Sequence, residues 1–120
     1  MVLVDTSVWV GHLRYGDPQL TSLLDEGMVA CHPFIIGELA CGHLPNRADT
    51  LRSLDELPQI GVATSEEVMS LIAARRLMGI GLGFVDVHLL ASAHIYDLPI
   101  LTRDLPFKKA AAVLGVLYSV

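Results

Sequence analysis

Four acids in this 120-residue chain stand at or inside apolar runs. Asp5 follows Val2-Leu3-Val4, and Glu38 lies between Phe34-Ile35-Ile36 and Leu39-Ala40. Asp86 follows Phe84-Val85, and Asp104 comes just after Ile100-Leu101-Thr102. Carboxylates gathered at one place repel one another and hold protons unless a cation neutralises them. An all-oxygen donor set selects a hard ion, Mg²⁺ or Mn²⁺, over zinc. A divalent ion so held activates water and braces the leaving oxygen of a phosphodiester. Hydrolysis of a phosphate ester is therefore the chemistry these residues could do together.

Three of the acids also have a plainer reading. Asp5 suits a turn cap, Glu38 a narrow solvated stripe, and Asp86 the N-terminus of a helix, where free N–H groups and the dipole favour a carboxylate. A carboxylate on a nearly all-apolar helix is expensive to bury without a partner. That expense tips Glu38 toward a metal ligand or a base. For the rest, the case depends on whether the elements bring the acids together.

Val2–Val4 is apolar on both faces, which suits a strand in a sheet covered on both sides. Thr6 and Ser7 are good caps for a helix running to Leu13. Pro18 opens a second helix with Leu20, Leu23 and Leu24 on one face, and Gly27 ends it. Met28–Cys31 reads as the second strand, and Pro33 starts the helix that carries Glu38. A polar amphipathic helix spans Arg47–Leu57, with Leu51, Leu54 and Leu57 facing inward. Ile60–Ala63 then reads as a third strand. Thr64-Ser65-Glu66-Glu67 is a capped start to a helix reaching about Met78. The three glycines of Gly79–Gly83 lack the lysine and hydroxyl of a P-loop and the preceding strand of a dinucleotide fingerprint, so they read as a flexible bend. Phe84-Val85-Asp86 opens a helix over Val87–Tyr96. Ile100–Thr102 is a fourth strand, a helix runs from Leu105 to Gly115, and Val116–Tyr118 offers a fifth strand at the edge.

Strands and helices thus alternate, which implies a three-layer α/β/α fold on a mostly parallel five-stranded sheet with right-handed crossovers. The expected strand order is 3-2-1-4-5. Ligands of such sheets bind beyond the carboxyl ends of the strands, where the order reverses. Asp5 and the Thr102–Asp104 turn flank that crevice, and Glu38 and Asp86 fall near helix starts on the same side.

The bulk numbers fit a single domain over 1–120, since 52% hydrophobic residues supply a real core. No stretch approaches the roughly 20 uninterrupted apolar residues of a membrane span. The apolar start is too short, and lacks the basic leader, of a signal peptide. Cys31 and Cys41 carry no pairing signature and read as reduced thiols of a cytoplasmic protein. A net charge of −5 excludes broad, nonspecific nucleic-acid binding, which needs a basic face. It leaves room for a compact acidic site that meets phosphates through metal ions: without the four acids, nine carboxylates face eight basic residues. Arg14, Arg103, Lys108 and Lys109 are candidates for phosphate contact. Arg75 and Arg76 read as a solvated face. His88 and His94 lack a metal spacing and read as core or rim residues.

Val4-Asp5-Thr6-Ser7-Val8-Trp9, Ile36-Gly37-Glu38-Leu39, Phe84-Val85-Asp86-Val87-His88-Leu89-Leu90-Ala91 and Leu101-Thr102-Arg103-Asp104 occur in that order across the chain. In these motifs the sequence resembles the PIN-domain ribonucleases, and within them the toxins of bacterial toxin–antitoxin pairs of the VapC type. The resemblance implies an endoribonuclease in which Asp5, Glu38, Asp86 and Asp104 bind one or two Mg²⁺ or Mn²⁺ ions. It implies that Thr6 or Ser7 and Thr102 orient ligands or water. It further implies a homodimer and a cognate antitoxin protein that covers the site. Many relatives carry another acid a few residues beyond the position of Asp104. Here that loop reads Leu105-Pro106-Phe107, which leaves a second ion one ligand short.

Two other classes compete. A phosphoaspartyl hydrolase of the haloacid-dehalogenase kind would use Asp5 as nucleophile, but it wants an acid two residues on, where this chain has Ser7. A noncatalytic module of the same fold would only hold a protein partner. Four acids at strand and helix ends are more than such a scaffold requires.

Overall fold

The computed structural model describes residues 1–119. Its centre is β1 (Val2–Val4), which pairs in parallel with β2 (Val29–Ala30) on one side and β3 (Ile100–Leu101) on the other. Val2 lies opposite Val29 and Leu3 opposite Ala30, while Leu3 and Val4 face Ile100 and Leu101 across the other edge. Successive side chains of a strand point to opposite faces. All three residues of β1 are at most 2% exposed, so both faces of the sheet are covered. Continuous apolar runs are what such a doubly covered parallel sheet requires.

Seven helices surround it among the described residues: α1 (Thr6–Tyr15), α2 (Pro18–Asp25), α3 (Pro33–Ala40), α4 (Arg47–Glu56), α5 (Ser65–Arg75), α6 (Phe84–Tyr96) and α7 (Leu105–Val113). Three of them start at or beside a proline, whose fixed φ and missing N–H suit the first turn. Leu3, Leu20, Ile35, Leu89, Leu90, Ile100 and Phe107 form the interior where these layers meet. Among the described residues, no helix is long and apolar enough to cross a membrane.

The sheet has three strands where five were expected. The segments at Ile60–Ala63 and Val116–Tyr118 shrink to single parallel bridges, Cys31 with Gln59 and Ile100 with Leu117. Short partners leave little to pair with, because β2 and β3 are two residues each. The first segment is also diverted. Gly61 packs so closely on the Tyr96 ring that any Cβ there would strike it, and the chain then turns to cap α5. Thr64 and Glu67 form the reciprocal cap, with Glu67 N donating to Thr64 Oγ1 at 3.1 Å and Thr64 N to Glu67 Oε1 at 2.8 Å.

Helix ends differ from those read in the sequence by one or two residues at α1, α4 and α7, and by more at α5 and α6. α5 stops at Arg75, short of Met78, because Arg76 turns left-handed at φ 53° and the buried Leu77 bonds back to the Ile72 carbonyl at 3.0 Å. α6 begins at Phe84 rather than Val87, which places Asp86 inside its first turn.

Candidate metal centre

Asp5 leaves β1 with its own N–H bonded to the Leu101 carbonyl at 2.9 Å, so its backbone is fixed to β3. It occupies the N-cap position of α1 yet makes no side-chain cap. Instead Oδ2 accepts from Ser7 Oγ at 2.8 Å and from Thr102 Oγ1 at 2.9 Å. The carboxylate is 4% exposed and depends on those hydroxyls. Neither Ser7 nor Thr6 is a cap, since both lie within the first turn of α1 and reach elsewhere.

The same two hydroxyls fasten the turn that follows β3. Thr102 Oγ1 accepts from Asp104 N at 3.1 Å, and Ser7 Oγ accepts from Arg103 N at 3.1 Å. Asp104 in turn caps α7, with Oδ2 accepting from Phe107 N at 3.1 Å. Glu38, on α3, is exposed, and its Oε1 accepts from Thr6 Oγ1 at 2.7 Å. The α1 start therefore holds one acid from the strand and another from α3.

Asp86 is half-buried on the first turn of α6, where Oδ2 accepts from Gly83 N at 3.1 Å. It is not the N-cap residue; that position is Gly83. Burial raises its pKa, the Gly83 N–H opposes the rise, and the charges of Asp5, Asp104 and Glu38 add to it. Asp86 thus lies within electrostatic reach of the other three acids, although the four come from separate segments. Among the described residues, no three His, Cys, Asp or Glu side chains close on one metal-sized point.

The donor set suits a hard divalent cation. Among the described residues, every donor to these four acids is a hydroxyl or a backbone amide, and the ion pairs, Arg52–Asp49 and Arg103–Asp17, lie elsewhere. Neutral donors orient carboxylates and leave their charge to be balanced by something else. The basic candidates fall apart in space. Arg103 is engaged by Asp17 Oδ2 at 2.8 Å and Gln19 Oε1 at 3.0 Å. Arg14 shares a small groove with Glu38 and His43. Lys109 lines a different groove, with Leu77, Ile80 and Val113, that contains none of the four acids. Lys108 is half-buried on α7.

One polar residue of the interior, His32, was not singled out in the sequence. His32 is wholly buried directly before α3, where its Nδ1 accepts from Phe34 N at 3.0 Å and its Nε2 lies 3.2 Å from Ser92 Oγ. Its place before Pro33, which opens the helix, is the signal that marks it as a cap. His88 is buried as well, with Nδ1 lacking a partner among the described residues and its ring packed on Phe34 and Phe84.

The PIN-domain family model matches residues 2–113, a span that contains all four acids. Two relatives carry the name Ribonuclease VapC32, from the Mycobacterium tuberculosis strains CDC 1551 and H37Rv. Each is 46% identical to this chain over 117 residues, covering 97% of it and 94% of the relative. With strand ends, helix starts and acids all inside the matched span, this chain belongs to the PIN-domain family.

Proposed function

We propose that this protein is a divalent-metal-dependent endoribonuclease, the toxin of a toxin–antitoxin pair, in which Asp5, Glu38, Asp86 and Asp104 hold the ion. The observation that carries this reading is geometric: Ser7 and Thr102 fix Asp5 at the end of β1, Thr102 also ties down Asp104, and Thr6 on the same turn of α1 holds Glu38. The relatives named Ribonuclease VapC32 supply the substrate class, RNA. The all-oxygen donor set favours Mg²⁺ or Mn²⁺. When bound, such an ion supplies a Lewis acid for phosphoryl oxygens and water of lowered pKa.

The chain's own residues then have distinct tasks. Asp5 is the fixed ligand, since strand, Ser7 and Thr102 all constrain it. Thr102 and Ser7 set Asp104 through the turn, and Thr6 aims Glu38. Arg14, beside Glu38, is the basic residue best placed to meet a substrate phosphate. A cognate antitoxin covering the acids, a homodimer and a cytoplasmic setting complete the proposal. Exposed Met78, Ile80, Leu105 and Val113 support a protein-binding surface. The bridges at Gln59 and Leu117 support an abbreviated five-position sheet in the order 3-2-1-4-5.

The test is Asp5→Asn, which keeps size and hydrogen-bonding capacity but removes the charge that holds the cation. Partner-free protein, shown by circular dichroism to be folded, is incubated with RNA and Mg²⁺ or Mn²⁺. Wild type should cut and stop with a chelator, while the variant loses at least about a hundredfold in rate. A folded variant that cuts at the wild-type rate would refute metal catalysis through Asp5.

A further inference from the structure

We propose that the buried His32–Ser92 pair is a positioning clasp that sets the distance between the helix bearing Glu38 and the helix bearing Asp86. The inference rests on the metal-site reading above and adds two residues to it that touch neither substrate nor ion.

A backbone N–H can only donate, so the bond from Phe34 N makes His32 Nδ1 an acceptor and puts the imidazole proton on Nε2. That proton points to Ser92 Oγ, 3.2 Å away on α6, and the same oxygen accepts from Ala63 N at 3.0 Å. His32 and Ser92 are both 0% exposed, so water cannot replace either partner. One imidazole therefore caps α3 and ties it to α6.

The contacts beyond the clasp form an antiparallel ladder. His32 meets Ser92, and the Phe34 ring lies 4.5 Å from that of His88. Phe34 also stands edge-on to His32 at 5.2 Å, and Phe84 edge-on to His88 at 4.7 Å. One turn beyond Phe34 on α3 comes Glu38, and two residues before His88 on α6 comes Asp86, and their charges repel. Glu38 is six residues after His32, and Asp86 six before Ser92. At about 1.5 Å of rise per residue, each acid lies roughly 9 Å along its helix from the clasp. The clasp thus pins α3 at its start and α6 beyond its midpoint, while the repelling acids lie about two turns away along each helix. Loss of the pin should widen the acid cluster.

The experiment measures Mn²⁺ dissociation constants, by electron paramagnetic resonance, for partner-free wild type, Ser92→Ala, His32→Asn, the double variant and Ser92→Thr. Asparagine keeps the α3 cap but is too short to reach Ser92. Ser92→Thr keeps the hydroxyl. We expect Mn²⁺ affinity to fall about tenfold in each clasp-breaking single variant, with no further fall in the double, and to recover in Ser92→Thr. The readout is taken on protein shown to be folded, and Ser92→Ala, the smallest change, serves if His32→Asn does not fold. Lower melting temperatures with wild-type Mn²⁺ affinity would overturn the clasp and leave only a structural role. Additive losses in the double variant would also overturn it. Failure of the wild type itself to bind Mn²⁺ would instead sink the metal-site reading, so the two failures are distinguishable.

Discussion

Thr102→Val isolates the hydroxyl that joins both halves of the acid cluster. Thr102 is 1% exposed; its Oγ1 donates to Asp5 Oδ2 at 2.9 Å and accepts from Asp104 N at 3.1 Å. Valine has nearly the same shape, so no cavity opens and the change is confined to polarity. A hydrogen bond to a charged group is worth about 1.5–3 kcal/mol, and the Asp104 N–H also loses its acceptor. Burying a methyl in place of the hydroxyl returns about 0.8 kcal/mol. Ser7 still holds Asp5, so the net loss should be about 2 kcal/mol. For a domain of this length that lowers the metal-free melting temperature by roughly 8 °C. Cleavage of RNA should fall about 10- to 100-fold, the range seen when a residue that orients a metal ligand is removed. Thermal melts in excess chelator, run beside RNA digestion, read both effects, and Thr102→Ser should restore them. If Thr102→Val melts within about one degree of wild type and cuts RNA as fast, the hydroxyl does not hold Asp5.

Asp86→Asn should behave in the opposite sense without metal. The amide oxygen can still accept from Gly83 N, while the charge disfavoured by burial and by three neighbouring carboxylates is gone. Melts in chelator should match or exceed wild type, and the Mn²⁺-induced rise should disappear; a large metal-free loss would mean that Asp86 is chiefly a structural cap. Stability should also fall on acidification through His32. Burial, and then the charge of His88, lower its pKa to about 4 from an ordinary value of 6.5. The unfolded chain then takes up the proton first, so stability present above pH 6.5 drains away down to about pH 4, by at most about 3 kcal/mol. His88, also lowered by burial, acts in the same direction, whereas Asp86, raised, opposes them. Urea titrations of wild type and His32→Asn at pH 7 and 4.5 test this, and an equal pH dependence in the two proteins would refute it.

How much of this was visible in the sequence depends on the range of the interactions. Val2-Leu3-Val4-Asp5 was legible because a run apolar on both faces has few uses other than a covered strand, and its end is a known place for ligands. Glu38 stood out as a charge on an apolar helix, and the parallel sheet followed from alternation. What failed to show were partners far away in sequence. Ile60-Gly61-Val62-Ala63 has the composition of a strand, but Tyr96 presses on Gly61 from 35 positions later. Thr6 and Ser7 look like caps by type, yet their hydroxyls are taken by Glu38 and Asp5. The end of α5 at Arg76 carries no glycine to announce a left-handed residue. His32 acquires its task only when Ser92 arrives beside it.

Arg103 shows how the fold keeps its acids available. It sits between Thr102 and Asp104, where an inward guanidinium could neutralise a carboxylate of the cluster and compete with a cation. Its backbone and side chain are instead drawn apart. The N–H donates to Ser7 Oγ at 3.1 Å, while the guanidinium reaches away to Asp17 at 2.8 Å. Asp17 is a strong competitor for it. Burial raises the Asp17 pKa, but the Arg103 bond and charge and the N–H groups of Leu20 and Gln19 outweigh that, and the net shift is downward. An ionised Asp17 at the start of α2 is therefore stabilised by the same helix that it caps, and it holds Arg103 outside the cluster. The four acids are left with hydroxyls and backbone amides as donors, which fix direction without cancelling charge. A diffusible divalent ion is then the counter-charge that this arrangement can accept.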